Sequence, residues 1–250
     1  MGLFDKKYCS VCGNKIGFLG NRKLEDGNLC KDCAGKLSPW FSERRKSTVE
    51  EIREQMAYRE ENRAAAAAFH VTLSFGSGMK LLLDEDAGKF TVTRARDLAE
   101  ANPDVVDIAR ITGCELEITD SKSEERTKDA EGKSVSYNPP RYSFRSDFIV
   151  RIQVDHPYFD SMHFQLNPSG VVLNPDNPLP LTRRPNPMLN REYREYAALG
   201  REIVSRLLAA RDAAREESQP KTARVCPFCG ATTVPDENGC CEYCGSAIPE

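Results

Sequence analysis

Apolar and polar positions along the chain change period several times, and each change marks an element. From Ser42 to Arg63 twelve of twenty-two residues are charged, six of each sign, and Val49, Ile52 and Met56 leave only a narrow apolar stripe at helical spacing. Ser47 with Glu50 three places on has the form of a capping box, so a helix is expected to start there. A helix this polar, running into Ala64 to Ala68, reads as a connecting arm or a surface helix. At Phe69 the pattern turns to alternation: "FHVTLSF" puts Phe69, Val71, Leu73 and Phe75 on one face, and "MKLLLDEDAGKFTVTR" reads as a hairpin around Asp86 to Gly88. "DIARITGCELEITD", "YSFRSDFIVRIQVD" and "SMHFQLN" add strands. Between the first two of these lies "SKSEERTKDAEGKSVSYNPPR", polar enough to predict a mobile loop. The proline-rich "NPSGVVLNPDNPLPLTRRPNP" is excluded from a central strand, with Val171 to Leu173 the stretch that can follow a sheet edge. Helical spacing returns with Leu189, Tyr193, Tyr196, Ile203, Val204, Leu207 and Leu208, a stripe wide enough to dock on a sheet. A short polar linker is expected from Ser218 to Thr222.

Two cysteine-bearing ends flank this middle. Residues 1–40 hold Cys9, Cys12, Cys30 and Cys33, with Asp26-Gly27 as a hairpin-turn signal between the pairs. The last 33 residues hold "CPFCGATTVPDENGCCEYCGS". The expected organisation is therefore 1–40, a cysteine module; 41–68, a charged connecting helix; 69–217, a β-rich domain with its C-terminal helix; and 218–250, a second cysteine module. The fold class is α+β, with two small modules flanking a mainly antiparallel β domain closed by an amphipathic helix.

Composition adds compartment and excludes some partners. The longest apolar runs, "KLLL" and "AAAAAF", fall far short of the ~18 residues that cross a bilayer. "MGLFDKKYC" lacks the apolar core of a signal peptide, and Lys6 stands where myristoylation needs Ser or Thr. A cytoplasmic location is the expectation. Ten cysteines could form a secreted disulfide framework, but eight of them fall as four C-x-x-C pairs at the two ends, which favours thiolate ligands in a reducing compartment. The net charge of −3 makes no global case for a polyanionic partner.

Zinc prefers four tetrahedral ligands, and two C-x-x-C turns brought together supply four sulfurs at about 2.3 Å. At the first end, Gly13 after the second cysteine can take positive φ and turn backbone N–H groups toward thiolates. "CKDCAGKL" has no such glycine and reads as a helix start, whose dipole favours thiolate. At the other end glycines follow both pairs, at Gly230 and Gly245. The doublet Cys240-Cys241 leaves two choices, because C-x3-C from Cys240 is also permitted. Cys241 keeps the knuckle spacing and is preferred, giving Cys226, Cys229, Cys241 and Cys244 as the second set. A redox C-x-x-C belongs in a βαβ context that this pattern lacks. Two Zn2+ per chain are expected, both four-sulfur and structural, since catalytic zinc keeps a position open.

Cys114 reads as a small side chain within a strand and Cys240 as a spare thiol. His70, His156 and His163 fall in separate strand or turn positions without ligand spacing. No phosphate loop, nucleophile triad or paired carboxylate stands out, so no catalytic residue is assigned and a non-enzyme is expected. Residues 1–37 carry seven Lys/Arg against four Asp/Glu, a balance that a −2 zinc tetrathiolate would cut to about +1, and residues 221–250 are acidic. Both argue against nucleic acid, with Arg22 and Lys23 the basic residues at the hairpin.

The stretch "YCSVCGNKIGFLGNRKLEDGNLCKDCAGKLSPWFS" and the charged helix after it resemble a bacterial four-cysteine domain-of-unknown-function family. The resemblance covers about the first quarter of the chain. It implies zinc bound by Cys9, Cys12, Cys30 and Cys33 in a treble-clef-like module and implies no reaction. The second set resembles a zinc ribbon. The middle is similar to pleckstrin-homology-like or GRAM-like domains, which implies a bent antiparallel sheet of about seven strands closed by one helix. Together these readings point to an interaction or adaptor protein that recognises a protein partner or a phospholipid headgroup. The alternatives are nucleic-acid binding through the first module and an enzyme with a pocket in the middle.

Overall fold

The turn chemistry of the first forty residues closes a small hairpin, β1 (Arg22–Lys23) with β2 (Asn28–Leu29), followed by a single helical turn, α1 (Lys31–Ala34). Asp26 Oδ1 accepts from Val49 N, tying the hairpin turn to the next helix. That helix, α2, spans Val49–Ala68. Its cap is Thr48 rather than the expected Ser47: Thr48 has extended backbone angles, its hydroxyl accepts from Glu51 N, and the Glu51 carboxylate accepts from Thr48 N. Ser47 instead ends a 3-10 turn over Glu43–Lys46 and donates its hydroxyl to Glu43 O. The structure, a computed structural model, describes residues 6–76, 78–173, 183–218, 223–236 and 238–249.

The buried residues of α2 are Ile52, Gln55, Arg59, Asn62 and Ala66, one helical face that is mostly polar. It is not a free arm. Across from it α3 (Leu98–Ala101) ends in Asn102, whose positive φ turns the chain toward the strand that starts at Val105. Arg59 Nη1 donates to Asp104 Oδ1 at 2.7 Å, and Arg59 also donates to Asn102 O. Tyr58 and Ser38 hydroxyls donate to the same carboxylate, and Asn62 bonds Asn102, Pro103 and Val105. Asp104 has no solvent exposure. Buried charge is tolerated here because every carboxylate oxygen has donors.

The alternating region folds as two antiparallel sheets. The first is a meander of β3 (Leu73–Phe75), β4 (Lys80–Asp84), β5 (Lys89–Thr93) and β6 (Val105–Asp107). The predicted Phe69–Phe75 face shortens because Val71 is exposed and pairing starts at Leu73. The second sheet is built on β7 (Ile111–Lys128) and β8 (Ser134–Val154), with β9 (Ser161–Gln165) and β10 (Val171–Val172) on the other edge of β8. The polar segment expected as a mobile loop is the outer half of the β7–β8 hairpin. Asp129 Oδ1 accepts from Glu131 and Lys133 N–H groups, and Gly132 at φ +79° completes the turn. Register runs Glu125 to Arg141 and then Arg126 to Ser136, so Pro139 and Pro140 fall in the unpaired bulge where no N–H is needed. The polarity reflects exposure to solvent, not disorder.

One core joins the sheets to α4 (Arg191–Ser218): Phe90, Phe148, Ile152, Phe164, Ile203 and Leu207 are all essentially buried in it. Gly200 lets α4 sit close to β7; a Cβ there would stand 2.5 Å from Leu116 Cδ1. Leu189, placed on the helix stripe by spacing, lies in a 3-10 turn before α4 and is 81 % exposed. Residues 174–182, the middle of the proline-rich stretch, and 219–222, most of the expected linker, lie outside the described residues.

Met1–Arg211 forms one compact unit and Asp212–Glu250 a second. In the second, β11 (Arg224–Val225) pairs with β12 (Thr232–Thr233). No helix among the described residues is long and apolar enough to cross a membrane.

Candidate metal centres

The backbone builds each site from short-range hydrogen bonds. Gly13 N donates to Cys9 O, Cys9 N donates to Asn14 O, and Gly13 takes φ +74°, so the first pair forms a knuckle. Cys30 is the N-cap of α1, its sulfur accepting from Cys33 N at 3.3 Å. The knuckle is stitched to the hairpin: Ser10 N donates to Asn28 O, and Asn28 N to Ser10 Oγ. Gly27 permits this approach, since a Cβ there would meet Ser10 Oγ at 2.6 Å and Val49 Cγ2 at 2.7 Å. The four sulfurs of Cys9, Cys12, Cys30 and Cys33 lie within 4.8 Å of one another.

At the other end two knuckles face each other. Gly230 N donates to Cys226 O and Gly245 N to Cys241 O, both glycines at φ +72°. Sulfurs of Cys226, Cys229, Cys241 and Cys244 gather within 4.8 Å, with Cys226 to Cys244 at 3.6 Å and Cys229 to Cys241 at 3.7 Å. The structure thus brings Cys241 into the cluster and leaves Cys240 out. Cys240 bridges to Ala247, its N–H donates to Asp236 Oδ1, and its sulfur points to Asn238 O.

The thiols compete for ionisation. Burial alone would raise Cys9, yet backbone N–H groups at Cys12, Cys30 and Val11 bring its pKa down to about 6. Burial and the neighbouring sulfurs of Cys30, Cys12 and Cys9 push Cys33 the other way. In the second site Ser246, through side chain and backbone, lowers Cys244 to about 6, while Cys229 is pushed up to about 12 despite a lowering bond at Ala231, by desolvation and its sulfur neighbours. In each site one sulfur ionises readily and one of its neighbours resists. A dication at the centre relieves that conflict, and eight soft sulfurs in two tetrahedral-sized sets fit two zinc ions. Each set saturates zinc, so the ions would brace the fold and leave no position for substrate.

Residues 7–55 match the family described as a domain of unknown function, DUF4428. The match takes in both cysteine pairs, the β1–β2 hairpin and the first turns of α2, and stops before Arg59 and Asn62. No curated protein and no solved structure matches the chain. The matched segment therefore takes in the metal-binding module and ends at Gln55, before most of the docking face of α2.

The histidines stay apart. His70 is exposed beside Asp86. His156 stacks on Phe159 at 4.0 Å and burial lowers its pKa. His163 meets Trp40 edge-on at 5.5 Å. Cys114 packs against the core, burial pushing its pKa up to about 12. Sequence reasoning missed one concave feature, a cavity of about 640 Å3 bordered by Trp40, Arg59, Arg94, Asn102, Arg151 and His163. Its walls come from seven separate parts of the chain, so no local motif announces it.

Proposed function

We propose that this chain is a non-enzymatic, cytoplasmic, zinc-braced interaction protein that recognises a protein partner or a lipid headgroup. The observation that carries this reading is that six of the nine exposed large apolar side chains among the described residues fall on the two cysteine modules. Tyr8, Phe18 and Leu19 sit on the DUF4428 segment, and Val225, Phe228 and Tyr243 on the second cysteine module. Phe228 and Tyr243 hold the same place in their knuckles, each directly before the second cysteine. Surface aromatics on rigid, metal-held turns are economical anchors, because little conformational entropy remains to be lost on binding. The order of two antiparallel sheets and then α4 supports the pleckstrin-homology-like reading of the middle.

Capture of partners by the zinc-loaded full chain, set against Phe228→Ala/Tyr243→Ala, tests the proposal. Partners held by the parent and lost by the variant are expected; an unchanged set would overturn it. The 640 Å3 cavity favours a second reading, a small-molecule pocket, enzymatic or not, in the middle of the chain. Trp40 is the chain's one tryptophan, so its fluorescence reports occupancy directly.

A further inference from the structure

The DUF4428 segment carries a turn whose chemistry is inverted. Gly20 N donates to Gly17 O at 3.0 Å, closing a four-residue turn with Phe18 and Leu19 at its two central positions. Central turn positions ordinarily hold Gly, Pro, Asn, Asp or Ser. Here they hold two large apolar side chains, 88 % and 83 % exposed, the highest exposures among the large apolar residues described. Ile16, directly before the turn, is buried in the module's core and donates its N–H to Lys7 O, so the turn stands on a fixed base.

Cations surround that base. Arg22 donates to the carbonyls of Leu19 and Asn21, binding its guanidinium to the turn. Arg44 folds back from the 3-10 turn and donates to Lys23 O at 2.6 Å. Arg22, Lys23, Arg44 and Arg45 line one groove of about 870 Å3, in which Glu25 is the one carboxylate. None of the four has an ion pair among the described residues, whereas Lys46 beside them is paired with Glu43. Burial and the charges of Arg22 and Arg45 lower the pKa of Arg44, the mark of crowded cations. Four unpaired cations held together need an anion, and two apolar side chains standing out of them need an apolar medium. A surface of anionic lipids offers both at the right depths, headgroup phosphates above acyl chains.

We propose that this turn and groove form a membrane-docking site: Phe18 and Leu19 enter the acyl boundary of an anionic leaflet, and Arg22, Lys23, Arg44 and Arg45 take headgroup phosphates. The inference rests on the interaction reading above and names its lipid partner. Such a turn suits the task, because Ile16 roots it in the module's core and the tip keeps its shape. Polyanion binding by cations alone would leave Phe18 and Leu19 unused.

The test is co-sedimentation of the zinc-loaded full chain with vesicles of phosphatidylcholine alone, or of phosphatidylcholine with phosphatidylserine. Binding to the anionic vesicles, weakened by salt, is expected. Phe18→Ala/Leu19→Ala lowers the partition coefficient by about tenfold. Arg44→Gln/Arg45→Gln lowers it by about 25-fold, roughly fivefold for each charge lost. Phe18→Leu retains binding. Both double variants change exposed or half-exposed side chains, and unchanged zinc content shows that the module stays folded. No binding to anionic vesicles, or equal binding by Phe18→Ala/Leu19→Ala, overturns the proposal. So does oligonucleotide binding that needs the arginines and ignores the turn, with vesicles left unbound. The capture experiment with the knuckle aromatics is read separately, so failure on vesicles leaves the interaction reading to be judged on its own.

Discussion

Around Cys9, Cys30 and Cys33 the chain buries Ile16, Leu24, Leu29, Leu37 and Ile52, with Val49, Phe41 and Met56 packed against them. Around Cys226 and Cys241 the one further buried apolar side chain among the described residues is Ile248. Both groups hold four sulfurs within 4.8 Å of one another, yet the protein behind them differs. The first module carries a small core and hands its helix to the sheets through buried polar contacts. The second has metal ligands in place of a core. Similar coordination therefore implies different dependence on the metal, because zinc contributes in proportion to what else the fold lacks.

Zinc removal should separate them most widely. In the second module the metal's apparent contribution, about 10–16 kcal/mol in small fingers, has no core to replace it. Chelation should erase its protected amides completely, while Leu24, Leu29 and Ile52 keep residual order in the first. Cys241→Ser should halve the zinc content and leave the unit Met1–Arg211 folded. Amide exchange and elemental analysis read both results; equal loss of protection in the two modules would contradict the comparison.

The next step down removes the first module's docking. Asp104→Ala strands the Arg59 guanidinium and deprives Tyr58 and Ser38 of their acceptor. Removing one partner of a buried ion pair costs about 3–5 kcal/mol, although the pair itself is weak evidence of net stabilisation. Urea denaturation should show that loss for Met1–Arg211, with zinc retention by the second module unchanged. Leu24→Ala, at a fully buried position, should cost about 2–5 kcal/mol in the same transition. An unaltered midpoint in either variant would mean the first module depends on metal as strictly as the second.

These contrasts also mark what sequence could reveal. Both sulfur sets were legible because a knuckle is local: its glycine, its spacing and its hydrogen bonds lie within six residues. The run of alternating strands and then α4 was legible from period. The docking face of α2 was not, because Arg59 and Asn62 look solvent-bound until their partners, about forty residues on, are known, and Gln55 until Ser38 N, earlier in the chain, is seen to donate to it. The outer β7–β8 hairpin was hidden for the opposite reason, since both of its faces meet water and no alternation is imposed. The basic groove escaped a tally of residues 1–37 because Arg44 and Arg45 lie beyond it and fold back.

The smallest effect sharpens the comparison at the joint between metal module and helix. Thr48 caps α2 and Asp26 Oδ1 holds the next N–H, so the start of the helix is fixed by the hairpin that the zinc site organises. Thr48→Ala removes one cap bond and should cost about 1 kcal/mol. If the cap couples the metal to the helix, that cost shrinks in zinc-free protein, where the hairpin no longer presents Asp26 and the first turn frays in both forms. A double-mutant-style cycle, parent and Thr48→Ala each with and without zinc, isolates the coupling from the cap's own contribution. A cost independent of zinc would make α2 a helix that starts by its own sequence, with the metal module merely attached.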